Sequence, residues 1–310
     1  LPSYFVSSSL ISLYSWKEMQ RIAGQIRIEN SKNRDKGSVN DPRMGVINFN
    51  HRCGYCLLVD CPGHYGLISF RTKVYNPVFI REIVSVLNCT CYGCGNLLIT
   101  KELLETKKNL PAGIDRLAEL EKYCKDLPCL SKKDPLPGGK ITKCEKRVYL
   151  TTDIKEEGKI YYKKGETKEE IKNCAPILLS VNEAYETLRK IKDATPLGFS
   201  KGSRPRDMIL RGILVPPVIA RPPAERNGTI KDDDLTDMYI TLVRKLETQG
   251  RLKPEDESVQ IYKTLRQIFF RTEGIKAGPK SYVPIIDRIQ GKNALMRALL
   301  IGKRNDYCGR

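Results

Sequence analysis

Four potential metal ligands lie within twelve residues, and they constrain folding more than any other feature of the chain. Cys53 and Cys56 are separated by two residues, and Cys61 and His64 follow as a second pair with the same gap. Structural zinc takes four thiolate or imidazole ligands at tetrahedral corners, and two-residue gaps let tight turns bring paired ligands to one ion. Gly63 permits such a turn before His64. The pattern predicts a closed structural zinc site rather than a redox pair.

A second cysteine group begins at Cys91 and Cys94, which are again two residues apart. Cys124 and Cys129 follow about thirty residues later, and we expect them to complete a second zinc site. The four-residue gap between Cys124 and Cys129 is wider than usual for a ligand pair. Cys144 is therefore an alternative fourth ligand.

The other cysteines have simpler interpretations. Cys89 directly precedes the second group, whereas Cys174 and Cys308 are isolated and are predicted to be small buried apolar side chains. The chain has 11 cysteines, an odd number, and no secretory signal pattern precedes them. We therefore expect thiolate ligands rather than disulfides.

Composition and charge exclude several classes of protein. A chain of 310 residues suits one large domain or two, and no apolar run approaches the roughly 20 residues of a membrane-spanning helix. Only two histidines are present, which leaves little material for a histidine-based catalytic triad. The net charge is +18, and the last fifty residues hold eleven Lys and Arg against three Asp and Glu. A polyanion is the expected partner of that end.

Local patterns predict several helices and one strand. Asn76 and Pro77 are typical of an N-cap and a first helical position. Ser180 and Glu183 form a capping box before a helix that ends ahead of Pro196. Residues 208–215 are strand-like and end at a proline pair.

Two further apolar periodicities follow an acidic run. Asp233 or Asp234 caps a helix that stops at Gly250, and a second helical pattern stops at Gly274. Two helices joined by a short polar loop predict an antiparallel hairpin. The run at residues 232–234 could hold magnesium, but its place ahead of a helix favours capping.

Seven segments, in this order, resemble one family: the N-terminal part of the largest subunit of multisubunit DNA-directed RNA polymerases, in its archaeal, eukaryotic and large-DNA-virus branch. The segments are NDPRMG from Asn40, the Cys-x-x-Cys with CPGHYG, PVF from Pro77, CTCYGCGNLL from Cys89, RPRDMILRGILVPP from Arg204, DDLT from Asp233 and GKRNDYCGR from Gly302. The chain is less like the bacterial beta-prime subunit.

The resemblance implies an α+β fold, the irregular multi-part polymerase clamp, with a clamp core, a clamp head, two structural zinc ions and an antiparallel helical hairpin. Residues 1–98 would be the first part of the clamp core with one zinc, and residues 99–203 the clamp head with the second. Residues 204–288 would be the second part of the core, and residues 289–310 a switch segment leading to the active centre.

Within residues 204–288, the resemblance implies named functional pieces. Residues 222–232 would be the lid, which in the family helps separate RNA from template. The helices of residues 235–274 would be a docking place for initiation and elongation factors, and residues 275–288 the rudder.

The basic C-terminal end agrees with a segment that grips template DNA. The expected phosphate contacts are made by five residues, with Lys276, Lys280 and Arg288 as weaker candidates; the five are Lys292, Arg297, Lys303, Arg304 and Arg310. Apolar residues are interleaved with these cations, unlike in a solvated tail. Such contacts hold a strand without reading its sequence.

The family's catalytic loop, in which three aspartates hold magnesium, is not among the 310 residues. The resemblance therefore implies an enzyme, a nucleotidyltransferase, whose magnesium is bound outside this chain. Its partners would be the rest of the largest subunit, the second-largest and other subunits, template DNA and the RNA–DNA hybrid. Its place would be intracellular: nucleus, or cytoplasm or virion for a viral enzyme. The alternative is a free-standing zinc-dependent nucleic-acid-binding transcription regulator.

Overall fold

The computed structural model describes most of the chain outside its two ends and its middle. The described residues are 13–31, 35–46, 51–91, 94–99, 104–105, 113–124, 148–151, 158–164, 173–226, 229–248, 253–271 and 282–290. The helices are α1 Trp16–Ala23, α2 Ile80–Asn88, α3 Ile114–Cys124, α4 Val181–Lys190, α5 Asp234–Glu247, α6 Pro254–Phe269 and α7 Ile285–Ile289. The strands are β1 Gly66–Tyr75, β2 Val148–Thr151, β3 Ile160–Lys164, β4 Ile177–Leu179, β5 Ile209–Val215, β6 Ala224–Arg226 and β7 Thr229–Lys231. This mixture of helices and small sheets is the expected α+β class.

The chain divides into two units, and the first is formed mainly by one continuous stretch. Unit 1 comprises Leu1–Lys17 and Phe79–Ile209. Its sheet is antiparallel with the order β2-β3-β4, and α2 packs against α3 and α4. Apolar side chains from these elements are buried; they include Ile83, Val86, Leu87, Leu117, Leu120, Ile160, Leu179, Ala184 and Leu188. Burying them is the main source of stability in such a unit.

Unit 2 is formed from two stretches far apart in sequence, Glu18–Val78 and Leu210–Arg310. β1 and β5 form a two-stranded sheet, and α5 and α6 pack on β1 and on each other. The α5 and α6 faces are buried at three- and four-residue spacing, as an amphipathic pattern requires; the buried residues include Leu235, Tyr239, Leu242, Val243, Ile261, Leu265 and Ile268. The two helices are the predicted pair.

Two predicted helix starts are confirmed. Ser180 Oγ accepts from the Asn182 N–H at 3.3 Å, and Glu183 Oε2 accepts from the Ser180 N–H at 3.4 Å, which is the expected capping box. Asp233 Oδ1 accepts from the Leu235 N–H at 2.9 Å at the start of α5. The acidic run therefore caps a helix, as its position indicated.

The predicted N-cap at Asn76 is wrong. Helix α2 begins at Ile80, and Asn76 Oδ1 accepts from the Val78 N–H at 3.0 Å instead. An asparagine followed by proline closes a local turn of this kind as readily as it caps a helix. The turn ends β1 and delays the helix by one turn.

The domain boundaries expected at residues 98 and 203 remain a prediction. The two units of the structure change over at 17/18, 78/79 and 209/210. None of the helices in the described residues is both long enough and apolar enough to cross a membrane.

Candidate metal centre

The turn at Cys53 and Cys56 is held by two backbone hydrogen bonds. The Cys53 N–H donates to the Leu58 carbonyl at 3.0 Å, and the Leu57 N–H donates back to the Cys53 carbonyl at 2.9 Å. Leu57 has a φ of +62°, a left-handed conformation that is uncommon outside glycine. The Tyr55 N–H points at the Cys53 sulfur at 3.4 Å. This geometry brings both thiols to the inside of one turn.

The second half of the cluster is a tight turn at Cys61 and His64. The Gly63 N–H donates to the Cys61 sulfur at 3.3 Å, and Cys61 Sγ lies 3.2 Å from His64 Nε2. Gly63 has a φ of +93°, and a Cβ there would lie 2.4 Å from the Cβ of Pro217. Glycine is therefore required for both its backbone angle and its close packing.

The structure brings all four predicted ligands of this first site together. The ligand atoms of Cys53, Cys56, Cys61 and His64 all lie within 4.8 Å of one another. A tetrahedral zinc with sulfur ligands at about 2.3 Å separates them by nearly 4 Å, which this cluster satisfies with little movement. Cys53 and Cys61 are buried, and Cys56 and His64 are partly exposed. The donor set and its closed geometry fit structural zinc.

Local donors and burial set the electrostatics of the thiols. Burial raises the pKa of Cys53, but the N–H groups of Cys56 and Tyr55 outweigh it, so that the net shift is downward. Burial raises the pKa of Cys61 to about 11, aided by the neighbouring Cys56 and Cys53 thiols. Without metal, Cys61 therefore holds its proton at neutral pH. Metal binding must release that proton, so affinity should fall as the pH falls.

A loop at residues 38–45 forms one wall of the cluster. The Met44 carbonyl accepts from the His64 N–H at 3.0 Å, and the Pro42 carbonyl accepts from the Gly54 N–H at 3.2 Å. The Cys53 thiol donates to the Arg43 carbonyl at 3.7 Å. This wall fixes both halves of the cluster.

A buried carboxylate organises that wall. Asp41 Oδ2 accepts from the Gly37 N–H and from Arg43 Nη2, each at 2.6 Å, and Oδ1 accepts from the Arg43 N–H at 2.8 Å. Burial raises the pKa of Asp41, but the Arg43 side chain and the two N–H groups outweigh it and lower the pKa overall. In the sequence, Asp41 and Arg43 stand out only as parts of the NDPRMG segment. Aspartate followed by proline is a local signal that could have indicated this cap.

The Cys91 and Cys94 turn repeats the geometry of the first turn. The Cys91 N–H donates to the Asn96 carbonyl at 2.8 Å, and the Gly95 N–H donates to the Cys91 carbonyl at 2.8 Å. Gly95 has a φ of +74°, at the position where the first turn has Leu57. The turn that the second predicted site would use is thus formed in the structure.

One of the other predicted ligands of the second site, Cys124, is among the described residues. Cys124 is buried at the end of α3, and a hydrogen bond with Cys89 is the main cause that lowers its pKa. Cys129 and Cys144 lie outside the described residues. Across the described residues, the first cluster is the one place where three or more potential ligands converge. Sequence reasoning missed the contact between Cys89 and Cys124.

The predicted DNA contacts lie mostly outside the described part of the chain. This applies to all five main candidates, Lys292, Arg297, Lys303, Arg304 and Arg310, and to Lys276 and Lys280. Arg288 is described, and its guanidinium donates to both carboxylate oxygens of Asp233 at 2.8 and 3.2 Å. That ion pair occupies Arg288 and makes it a weaker phosphate ligand. Cys174, expected to be buried, is half-buried, and Cys308 lies outside the described residues.

Comparison with known proteins identifies relatives along most of the chain. The family described as RNA polymerase Rpb1, domain 1, matches residues 7–268. DNA-directed RNA polymerase subunit 1 of Acanthamoeba polyphaga mimivirus is 27% identical over 315 residues, with 91% of this chain and 21% of the relative covered. Subunit Rpo1N of Sulfolobus acidocaldarius is 29% identical over 305 residues, with 89% and 32% covered.

A eukaryotic relative gives a similar result. DNA-directed RNA polymerase II subunit RPB1 of Euplotoides octocarinatus is 28% identical over 323 residues, with 95% of this chain and 66% of the relative covered. The chain thus spans between a fifth and two thirds of the length of these relatives. The family match includes the whole Cys3His cluster and both helices packed on β1, and the chain belongs to the RNA polymerase Rpb1, domain 1, family.

Proposed function

We propose that this chain is the clamp part of the largest subunit of a DNA-dependent RNA polymerase and holds template DNA and the RNA–DNA hybrid during transcription. The observation that carries the proposal is the family match over residues 7–268, which includes the Cys3His cluster. The catalytic magnesium would be bound outside this chain, so that the chain contributes nucleic-acid binding to a nucleotidyltransferase assembled with other subunits.

In this proposal two zinc ions hold the clamp in shape. Cys53, Cys56, Cys61 and His64 bind the first, and the convergence of their ligand atoms within 4.8 Å supports it. Cys91, Cys94, Cys124 and Cys129 bind the second, with Cys144 in place of Cys129 as the alternative. The shared backbone pattern of the two Cys-x-x-Cys turns supports a metal at the second. Zinc would have a structural role at both sites, because four protein ligands leave no open position.

The elements after β5 would face nucleic acid and protein factors. The β6–β7 hairpin would be the lid that separates RNA from template, and α5 and α6 would form the docking surface for initiation and elongation factors. Residues 275–288 would be the rudder and residues 289–310 the switch segment. The division of residues 1–98, 99–203 and 204–288 into clamp core, clamp head and clamp core is part of the same proposal.

The second-largest subunit and the rest of the largest subunit would be the main partners, in the nucleus or, for a viral enzyme, in the cytoplasm or virion. Within the assembled complex, Lys303 and Arg304 would contact template phosphates. Each phosphate contact removed should reduce the dependence of log K on log salt by about one unit.

Template binding by the complex tests this role. Replacing Lys303 and Arg304 together with Ala should weaken binding to a similar extent for unrelated DNA sequences and flatten the salt slope by about two units. Arg189→Ala is a matched control, because Arg189 is an exposed arginine on α4 whose partner is Glu186, 3.3 Å away. Unchanged affinity and slope in the double variant would refute the phosphate contacts.

A further inference from the structure

Arg221 is a fully buried arginine with an unusual set of partners. Arg221 is only 1% exposed. Among the largest fully buried side chains of the described residues, it is the one that carries a charge. Nε donates to the Pro216 carbonyl at 3.0 Å, and Nη1 donates to Asn40 Oδ1 at 3.1 Å and to Thr236 Oγ1 at 2.8 Å. Nη2 donates to the Val39 carbonyl.

All of these acceptors are neutral. Burial lowers the pKa of Arg221 to about 10, with Tyr239, Asp233 and Asp232 acting in the opposite direction, so the side chain is still charged at neutral pH. A buried charge without a paired carboxylate is costly unless fixed dipoles replace its hydration. The planar guanidinium meets that need only where several acceptors are held at set positions. The groups that accept hydrogen bonds from Arg221 must therefore be held in fixed positions.

The contacts of Arg221 close the base of the β6–β7 hairpin. Arg221 directly precedes the Pro-Pro pair that leads into β6, and Thr236 lies in the first turn of α5, which follows β7. The hydrogen bond between Arg221 and Thr236 joins residues 15 positions apart on either side of the hairpin. Opening the base would break this bond.

The same side chain reaches the wall of the metal cluster. The Val39 carbonyl and the Asn40 side chain that accept from Arg221 belong to the loop in which Met44 holds His64. Met44 Sδ is itself 3.9 Å from Arg221 Nη2. A continuous chain of contacts thus runs from the metal ligands to the base of the hairpin within unit 2.

We propose that Arg221 is a positioning residue that couples the metal-held loop at residues 38–45 to the β6–β7 hairpin. The proposal rests on metal binding at the Cys3His cluster, but the role of Arg221 at the hairpin base can be measured separately. Metal binding holds the loop in place, and the loop supplies two of the acceptors of Arg221. Arg221 in turn holds the base of the hairpin through its hydrogen bond to Thr236. Losing either the metal or the guanidinium frees the same segment.

Hydrogen exchange measured on the full chain tests this coupling. Peptides covering residues 222–233 should exchange at least about tenfold faster after zinc removal with a chelator, which corresponds to losing one or two buried hydrogen bonds to a charged group. Arg221→Met should cause a similar increase while zinc stays bound. Removing zinc from the Arg221→Met variant should then speed the exchange of these peptides by less than about a further twofold, because the residue that couples the two regions is already absent.

Two controls and one substitute variant make the result specific. Arg244→Met removes an exposed arginine from α5 and should leave exchange of residues 222–233 unchanged. Peptides from β1 and β5 report unfolding of the whole unit and serve as the internal reference. Where Arg221→Met does not fold, Thr236→Val removes one acceptor alone and should still accelerate the hairpin severalfold.

The proposal is overturned if Arg221→Met or Thr236→Val leaves hairpin exchange as in the unaltered chain, or if the effects of substitution and chelation simply multiply. Zinc content is measured on each sample. A chain that binds no zinc contradicts the proposed metal site, whereas a zinc-loaded chain with an insensitive hairpin contradicts the role of Arg221.

Discussion

The two Cys-x-x-Cys turns have the same backbone and different surroundings. In each, the first cysteine donates to the carbonyl five residues on and accepts from the N–H four residues on, and the residue after the second cysteine has a positive φ. At the first turn, Cys61 and His64 complete a cluster within 4.8 Å. Near the second, Cys124 forms a hydrogen bond with Cys89.

The difference shows that a Cys-x-x-Cys turn forms from a few neighbouring residues, whereas a complete metal site also needs ligands from elsewhere in the chain. The first turn receives its other ligands from residues only five to eight positions further along, and loop 38–45 supports both halves. The predicted partners of the second turn are about thirty residues away, with Cys124 at the end of α3 and Cys129 after it. Sequence proximity therefore explains why the four ligands of the first cluster converge.

The largest expected effect comes from removing a ligand of the first cluster. Cys61→Ser should eliminate one zinc and lower the free energy of unfolding of unit 2 more than any other single substitution, while the core around β1 stays folded; structural zinc contributes about 10 to 16 kcal/mol in small zinc-binding peptides. Elemental analysis and thermal unfolding measure both effects. Cys174→Ser replaces a half-buried cysteine that belongs to neither predicted ligand set, and it should change neither quantity. Full zinc content in Cys61→Ser would contradict the ligand assignment.

Removal of a ligand of the second site should have a smaller effect that leaves the first site intact. Cys94→Ser should reduce the zinc content by one and destabilise unit 1 alone. Comparing Cys129→Ser with Cys144→Ser identifies the fourth ligand, because only the true ligand variant should lose zinc. If Cys94→Ser keeps all its zinc, the second site does not exist.

Alanine at the turn glycines should compare the two turns without touching a ligand. Gly63→Ala should cost about 2 to 4 kcal/mol of unfolding free energy, since it combines a left-handed backbone with a clash against the buried ring of Pro217. Gly95→Ala should cost a similar amount, because the added Cβ would lie 2.3 Å from the Cβ of Lys190, an atom whose position is fixed by the α4 backbone.

Gly202→Ala is the matched control for these two variants. Gly202 has a φ of +93° with nothing within 4 Å of the added Cβ, so its cost should be the backbone penalty alone, about 1 to 2 kcal/mol. Chemical denaturation measures all three. Equal costs at Gly63 and Gly202 would show that packing against Pro217 is unimportant.

The smallest expected effect concerns the wall of the first cluster. Asp41→Asn should destabilise the chain by about 1 to 3 kcal/mol at neutral pH, because buried donors lose a charged acceptor. The folded-state pKa of Asp41 is lowered, so its contribution is full above the unfolded value near 3.8 and is lost as the pH falls through the folded value. The difference between the unaltered chain and the variant should shrink in that acidic range.

Denaturation at a series of pH values measures this difference. Asp60→Asn alters an exposed carboxylate next to the cluster and serves as the matched control. A pH-independent difference for Asp41→Asn would contradict the charged role of Asp41.

Features formed by neighbouring residues could be predicted from the sequence. The capping box at Ser180, the cap at Asp233 and the first metal cluster each depend on residues within a few turns of the chain. The predicted N-cap at Asn76 is wrong because the Asn76 side chain closes a local turn that competes with the helix start. Arg221 could not be found, since its partner Asn40 is 181 residues away.

Purification of the native protein through a tag on this chain tests the central claim most directly. The account predicts that the second-largest polymerase subunit co-purifies with the chain and that the preparation synthesises RNA on a DNA template. A chain recovered without polymerase subunits and without RNA synthesis would contradict it and favour a free-standing zinc-dependent regulator.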